Sequence, residues 1–271
     1  MIRHKLGDMG IGFTAQPEHF APDRPTLVMI HGAGGASQIW QNQIRLSKVR
    51  SAGVNGSVNS LALDLPGHGK SADEARSDID AYAAWLSEVL RALFDEPPFL
   101  MGHSMGGAIV QKVALSDPDL MKGIILAGTG PRLQVAPMFL EGLQKSFHTI
   151  VESIMGFAYA ADADRRLVQE GIKLMKAAGG EAVYKDFYAC DRFDVRDQIG
   201  GINLPALILC GSEDKLTPPS LSRKLHEAIP ASRMEIIQGA GHMVMIEKHR
   251  AFNDHVLDFV LNPSIPQSLN S

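Results

Sequence analysis

Ser104 stands with Gly102 before it and Gly106 after it, at the junction of an apolar run beginning at Phe99 and a helix-like run reaching Val110. The order strand, sharp turn, helix puts a serine on a strained backbone that thrusts its hydroxyl out of the sheet. A side chain at Gly102 or Gly106 would collide with the neighbouring strand or helix, so the two glycines belong to the geometry. The same turn aims the N-H of Met105, at the start of the helix, toward whatever atom the serine attacks.

A serine hydroxyl is a weak nucleophile at neutral pH and needs a base placed to take its proton. His242 is the candidate, in the glycine-rich stretch 239–245 just past the last apolar run. An imidazole in that role needs a carboxylate to hold its tautomer. Asp214 follows the apolar run that ends at Cys210, and its neighbour Glu213 is the alternative. The developing oxyanion calls for a second backbone donor, expected from Ala33 in the small-residue stretch His31 to Gly35. His31, Gly32, Gly34, His103 and Met243 are the expected substrate contacts around these groups, although His103, next to the serine, should turn away from its hydroxyl. His226, His249, His255, His4, His19 and His148 read as structural or solvated.

These groups need a common edge, and the chain supplies elements that can make one. Short apolar runs at 26–31, 58–63, 99–103, 123–127, 204–210 and 233–238 suit strands buried on both faces. Helical spacing intervenes at 38–50, 78–94, 218–228 and 247–260, and residues 10–20 read as a strand entering a turn. Regular alternation predicts a mostly parallel sheet with helices on both faces, in the α/β class. The carboxyl edge of such a sheet is where chemistry collects. Residues 132–200 break the rhythm with helical patterns only, which predicts an all-helical cap inserted between two strands of one sheet. The core is then 1–131 with 201–271, and the polar tail from Asn262 is expected to fray. Met138, Phe139, Leu143, Phe147, Met155 and Phe157 of the cap either line an apolar acyl or aryl space or pack the cap onto the core.

Composition narrows the class. The 271 residues are 45% hydrophobic and 21% charged, with a net charge of -4. That balance gives no broad basic field for nucleic acid or anionic lipid. The N-terminus lacks the apolar core of a signal peptide, and no stretch approaches the roughly 20 apolar residues of a membrane span. Cys190 and Cys210, the two cysteines, are too few for a disulfide framework and lack metal-ligand spacing. A cytoplasmic protein without metal or cofactor is expected, acting on a small molecule, with monomer and homodimer both open. Gly67 to Ser71 has a P-loop ending, but position 64 is aspartate where that pattern needs glycine. The glycines at 32–35 fail the dinucleotide pattern because its third glycine falls at Ser37.

Taken together, the His31-Gly32 pair, the Asp64 to Gly69 loop, the Gly102 to Gly106 elbow, Asp214 and His242, in the order Ser, Asp, His, resemble the α/β-hydrolase-fold serine hydrolases. The resemblance implies an eight-stranded, mostly parallel sheet, a lid after the sixth strand, and acyl transfer through a serine ester. Serine at position 104 argues against the dehalogenase and epoxide hydrolase branches, whose nucleophile is aspartate. The expectation is a carboxylesterase of small to medium esters. Carbon-carbon bond hydrolases of ring-cleavage diketones, thioesterases, lactonases, perhydrolases and hydroxynitrile lyases use much the same three residues, and a ligand receptor would keep the fold without turnover.

Overall fold

A computed structural model describes residues 2–48 and 57–263. Seven strands form one sheet: β1 Phe13–Gln16, β2 Thr26–Ile30, β3 Asn59–Leu63, β4 Phe99–His103, β5 Gly123–Ala127, β6 Ala206–Gly211 and β7 Ser232–Ile237. Their spatial order is β1-β3-β2-β4-β5-β6-β7, with β1 antiparallel to β3 and every other pair parallel. β2 to β6 are short and apolar because both faces are covered. Val28, Ile30, Leu100, Ile124, Leu126 and Ile208 point into one apolar cluster, while Leu27, Met29, Met101, Ile125, Leu207 and Leu209 point into the other. This period of two is the pleat of a strand read on both sides.

Helices α2 Ile79–Leu93, α3 Met105–Ser116 and α8 Pro219–Ala228 feed the first cluster, and the short α9 Val244–Glu247 and α10 His249–Leu261 the second. α2 starts where the Asp78 carboxylate accepts the Ala81 N-H at 2.7 Å, satisfying a donor that the first turn leaves open. Its Ile79, Tyr82, Leu86, Val89, Leu90 and Leu93 are all buried, as their spacing predicts.

The segment expected as a cap contains four helices between β5 and β6: α4 Pro137–Lys145, α5 Phe147–Ala158, α6 Arg165–Ala178 and α7 Gly180–Arg192. Its two ends are bonded to each other. Arg132 and Asp194 form an isolated antiparallel bridge, Val195 N-H donates to Pro131 O at 2.8 Å, and Leu133 N-H donates to Phe193 O at 3.3 Å.

Three expectations change. The described residues form seven strands and not eight, and helix α1 Ile2–Asp8, whose one buried residue is Leu6, stands ahead of the first of them. The cap therefore follows the fifth strand in chain order and not the sixth. The stretch expected as one helix at 38–50 contains two short 3-10 turns, Ser37–Trp40 and Ile44–Lys48, and its last two residues lie outside the described ones. Most of the tail expected to fray also lies outside them. Among the described residues no helix is long and apolar enough to cross a membrane, and no cluster of His, Cys, Asp or Glu could hold a metal ion.

Candidate active site

Four parallel strands deliver the predicted groups to one edge. Residues 31–35 follow β2, Ser104 follows β4, Asp214 follows β6, and His242 follows β7. Ser104 has φ 54° and ψ -117°, and it is the one non-glycine residue with positive φ among those described. Its neighbours enforce this. A Cβ on Gly102 would lie 2.2 Å from Gly106 O, and one on Gly106 would lie 2.4 Å from Ile30 O. The Ser104 N-H donates to Ala127 O at 2.9 Å, and its carbonyl accepts Gly107 N-H, Ala108 N-H and the Thr129 hydroxyl. With the main chain held on both sides, the side chain is left facing a cavity of about 920 Å3.

His242 borders the same cavity. Its Nδ1 lies 2.8 Å from Asp214 Oδ2, which selects Asp214 over Glu213 as the carboxylate. Asp214 also accepts the Leu216 and Thr217 N-H groups on Oδ1, at 2.9 and 2.8 Å, and the Thr217 hydroxyl on Oδ2 at 2.8 Å. Burial would raise the Asp214 carboxyl, but the imidazole and these donors outweigh it, so the group sits below its ordinary value and carries charge. An ionised Asp214 accepts at Nδ1, so the proton is placed there and Nε2 is free to take one from elsewhere. Ser104 and His242 are not hydrogen-bonded to each other, and the serine hydroxyl has no partner among the described residues. Contacts of this kind are often long without substrate and tighten when it binds.

The loop bearing His242 is held from two sides. Glu247 accepts Gly241 N-H at 3.0 Å and Ala160 N-H at 2.8 Å, joining the loop to the end of α5, and Met243 N-H donates to Ala158 O at 3.1 Å. His103 supports it from below: its Nε2 lies 3.0 Å from His242 O, and the two rings are 4.6 Å apart. A backbone carbonyl accepts, so Nε2 carries the hydrogen. Burial, then the neighbouring His242, lowers the His103 imidazole to about 3, which keeps it neutral. It borders the cavity but spends its Nε2 donor on the His242 loop.

The turn after β2 closes with Gly35 N-H donating to Gly32 O at 3.1 Å. The Ala33 and Met105 N-H groups have no hydrogen-bond partner among the described residues, as donors kept for an anion would require. Gly32, Ala33 and Gly34 border the cavity. His31 does not. It is fully buried, donates from Nδ1 to Gly32 O at 2.8 Å and accepts Leu65 N-H on Nε2 at 3.0 Å. Burial and the adjacent His68 lower it to about 4, so it is a neutral strut between two loops and not a substrate contact.

Of the cap candidates, Phe139 and Met155 border the cavity, as does Met243 of the core. Met138 is 61% exposed and outside its wall, because it lies on the solvent face of α4. Phe147 is also outside it, packed half-buried into the cap with its ring 5.4 Å from His148. Both expected substrate contacts are therefore corrected. Cys190 reaches the cavity wall as a buried free thiol that burial pushes well above its ordinary value. Three groups of the site, Thr217, Glu247 and Asp186, were not picked out from the sequence.

The model described as "Alpha/beta hydrolase family" matches residues 27–255. The 2-hydroxy-6-oxononadienedioate/2-hydroxy-6-oxononatrienedioate hydrolase of Cupriavidus pinatubonensis is 30% identical over 255 residues, covering 88% of this chain and 87% of that protein. Polyketide synthase ThaQ of Burkholderia thailandensis is 28% identical over 256 residues, and the match spans 87% of this chain but 12% of that much longer protein. Among solved structures, a thermophilic esterase shares 29% identity at a TM-score of 0.78, covering 94% of this chain and 99% of its own. The matched stretch runs from β2 into α10 and contains Ser104, Asp214 and His242. The chain belongs to the alpha/beta hydrolase family.

Proposed function

We propose that this chain is a serine hydrolase of small to medium carboxylic esters, working through an acyl-enzyme on Ser104. The observation that carries the reading is the Asp214-bound imidazole bordering the same cavity as the unpartnered Ser104 hydroxyl. In the first half-reaction Ser104 Oγ attacks the ester carbonyl carbon while His242 Nε2 takes the hydroxyl proton. The resulting oxyanion is held by the Ala33 and Met105 N-H groups, where one donor is worth about 3 to 4 kcal/mol of transition-state stabilisation. The tetrahedral species collapses, the carbon-oxygen bond to the alcohol breaks, and His242 returns the proton to the leaving oxygen. Water then attacks the acyl carbon, again giving its proton to His242, and the acid leaves as Ser104 Oγ is reprotonated. The chemistry calls for no metal or cofactor. The cavity is large enough for a medium acyl group, and Phe139, Ile154, Met155, Met175 and Leu221 give it apolar walls.

Ser104→Ala is expected to reduce turnover of short p-nitrophenyl esters at least about 10³-fold with the melting temperature unchanged. Wild-type rates in that variant would reject the assignment. Mass spectrometry after a fluorophosphonate probe should place the adduct on Ser104. A second reading, carbon-carbon bond hydrolysis of a ring-cleavage diketone on the same three residues, is favoured by the name of the Cupriavidus relative. Competition of esters, thioesters, lactones and diketones against the probe separates the two.

A further inference from the structure

A second buried cluster lies behind the anion-binding turn, and the cap supplies its centre. Asp186 of α7 is fully buried, yet it is a carboxylate. Its Oδ2 accepts the Gly34 N-H at 2.8 Å and lies 2.8 Å from His68 Nε2, while Oδ1 accepts the Tyr82 hydroxyl at 2.7 Å. His68 belongs to the Asp64 to Gly69 loop, and Tyr82 to α2. A carboxyl taken out of water costs several kcal/mol unless its oxygens are met, and here two hydrogen-bond donors, the Gly34 N-H and the Tyr82 hydroxyl, converge on one cap residue, with the His68 imidazole close by at ion-pair distance but outside hydrogen-bond geometry.

The cap also shapes the turn sterically. Gly34 has φ +63°, and a Cβ there would lie 2.9 Å from Met175 and 3.1 Å from Val183, both on cap helices. Of the backbone donors at positions 33 to 35, Gly35 is spent on Gly32 O and Gly34 on Asp186, which leaves Ala33 free to face the cavity. Rotating the peptide units of the turn would exchange these commitments. The carboxylate therefore fixes which N-H is presented to substrate.

We propose that Asp186 is a positioning residue for the reaction: the cap carboxylate orients the turn 32–35 so that the Ala33 N-H meets the oxyanion. The proposal rests on the ester-hydrolase reading of the same cavity. Oxyanion donors act most strongly in the transition state, so disorienting one should lower kcat and leave substrate binding nearly intact.

The test is Asp186→Asn, which keeps size but loses the charge. The expected result is a fall of at least ten-fold both in kcat for p-nitrophenyl butyrate and in affinity for a trifluoromethyl ketone, whose hemiketal carries an oxyanion. KM should move less than two-fold, at a temperature where both proteins remain folded. Unchanged kcat and ketone affinity, or equal losses in KM and ketone affinity, would overturn the proposal. If Asp186→Asn does not fold, Tyr82→Phe removes one bond to the carboxylate while leaving the Gly34 contact, and it should lower ketone affinity two- to five-fold. No change in that variant would overturn the proposal equally. Amide exchange across residues 32–35, followed by mass spectrometry, decides the matter without turnover: it should quicken at least ten-fold in the variant, and unchanged exchange would refute the positioning role. A wild-type chain inactive on every ester would count against the hydrolase reading alone.

Discussion

Ser104 keeps a backbone conformation that its own side chain opposes, because the strand before it and the helix after it leave no other path. Residues held in sparsely populated φ/ψ regions cost on the order of 1 to 3 kcal/mol, and glycine removes most of that cost. Ser104→Gly is therefore expected to be inactive yet more stable than wild type by about 1 kcal/mol in urea unfolding; equal or lower stability would mean the turn is relaxed. Ser104, His242 and Asp214 stand out in the chain because each sits near glycine just past an apolar run. Other roles are not local. His31 reads the same beside a glycine turn whether it faces substrate or protein, and only the Leu65 N-H arriving from 34 residues away reveals a strut. Asp186 meets Gly34 across 152 residues, and nothing around it in sequence marks a carboxylate that will be buried. Thr217 sits three residues from Asp214, so its bond is local in sequence, but a threonine after a turn carries no mark of the carboxylate it meets.

At the scale of elements, close packing of α3 on the sheet is what creates the elbow. A Cβ at Gly106 would meet backbone atoms of Ile30 and His31 within 2.6 Å, and backbone cannot step aside as a flexible side chain can. Gly106→Ala should cost about 1 to 3 kcal/mol of stability and abolish ester turnover as the helix is pushed off β2. Gly156, in cap helix α5, has nothing within 4 Å of the same added atom. Gly156→Ala should instead stabilise by about 0.5 to 1 kcal/mol through helix propensity, with turnover intact. Paired thermal melts and rates of the two variants test whether close approach, and not glycine content, governs the site. The inner strands and α2 were readable because burial on both faces or on one stripe leaves a clear period. α1 was missed since one buried residue sets no period, and the 37–48 segment satisfies helical spacing with two tight turns in place of one helix.

For the whole molecule, buried imidazoles tie stability to pH. His31 and His103 are lowered to about 4 and about 3, chiefly by burial, so in the fold they stay neutral where the unfolded chain begins to take up protons near 6.5. Their contribution is complete above that value and is lost as pH falls, by about 1.4 kcal/mol per pH unit for each site. His68 runs the other way. Burial lowers it, but Asp186, Pro66 O and Asp64 together raise it, so its contribution is complete below 6.5 and is lost as pH climbs through the raised value. Urea unfolding should thus show greatest stability near pH 6.5, with an acid limb whose slope approaches two protons and an alkaline limb of one at most. Glu247, raised by burial, takes up its proton earlier in the fold than in the unfolded chain and so opposes the lower part of the acid limb, and the slope is therefore read just below 6.5. His103→Gln should halve that slope, and an unchanged slope would remove His103 from the account. The antiparallel clasp at Arg132 and Asp194 has a different bearing. Since the four-helix excursion leaves and re-enters through one doorway, β5 and β6 stay neighbours whatever is built beyond it, and lids of other shapes could be grafted there to change what the enzyme accepts. Any transplant would have to bring its own acid to the place Asp186 now fills, or the graft would fold and bind yet turn over slowly.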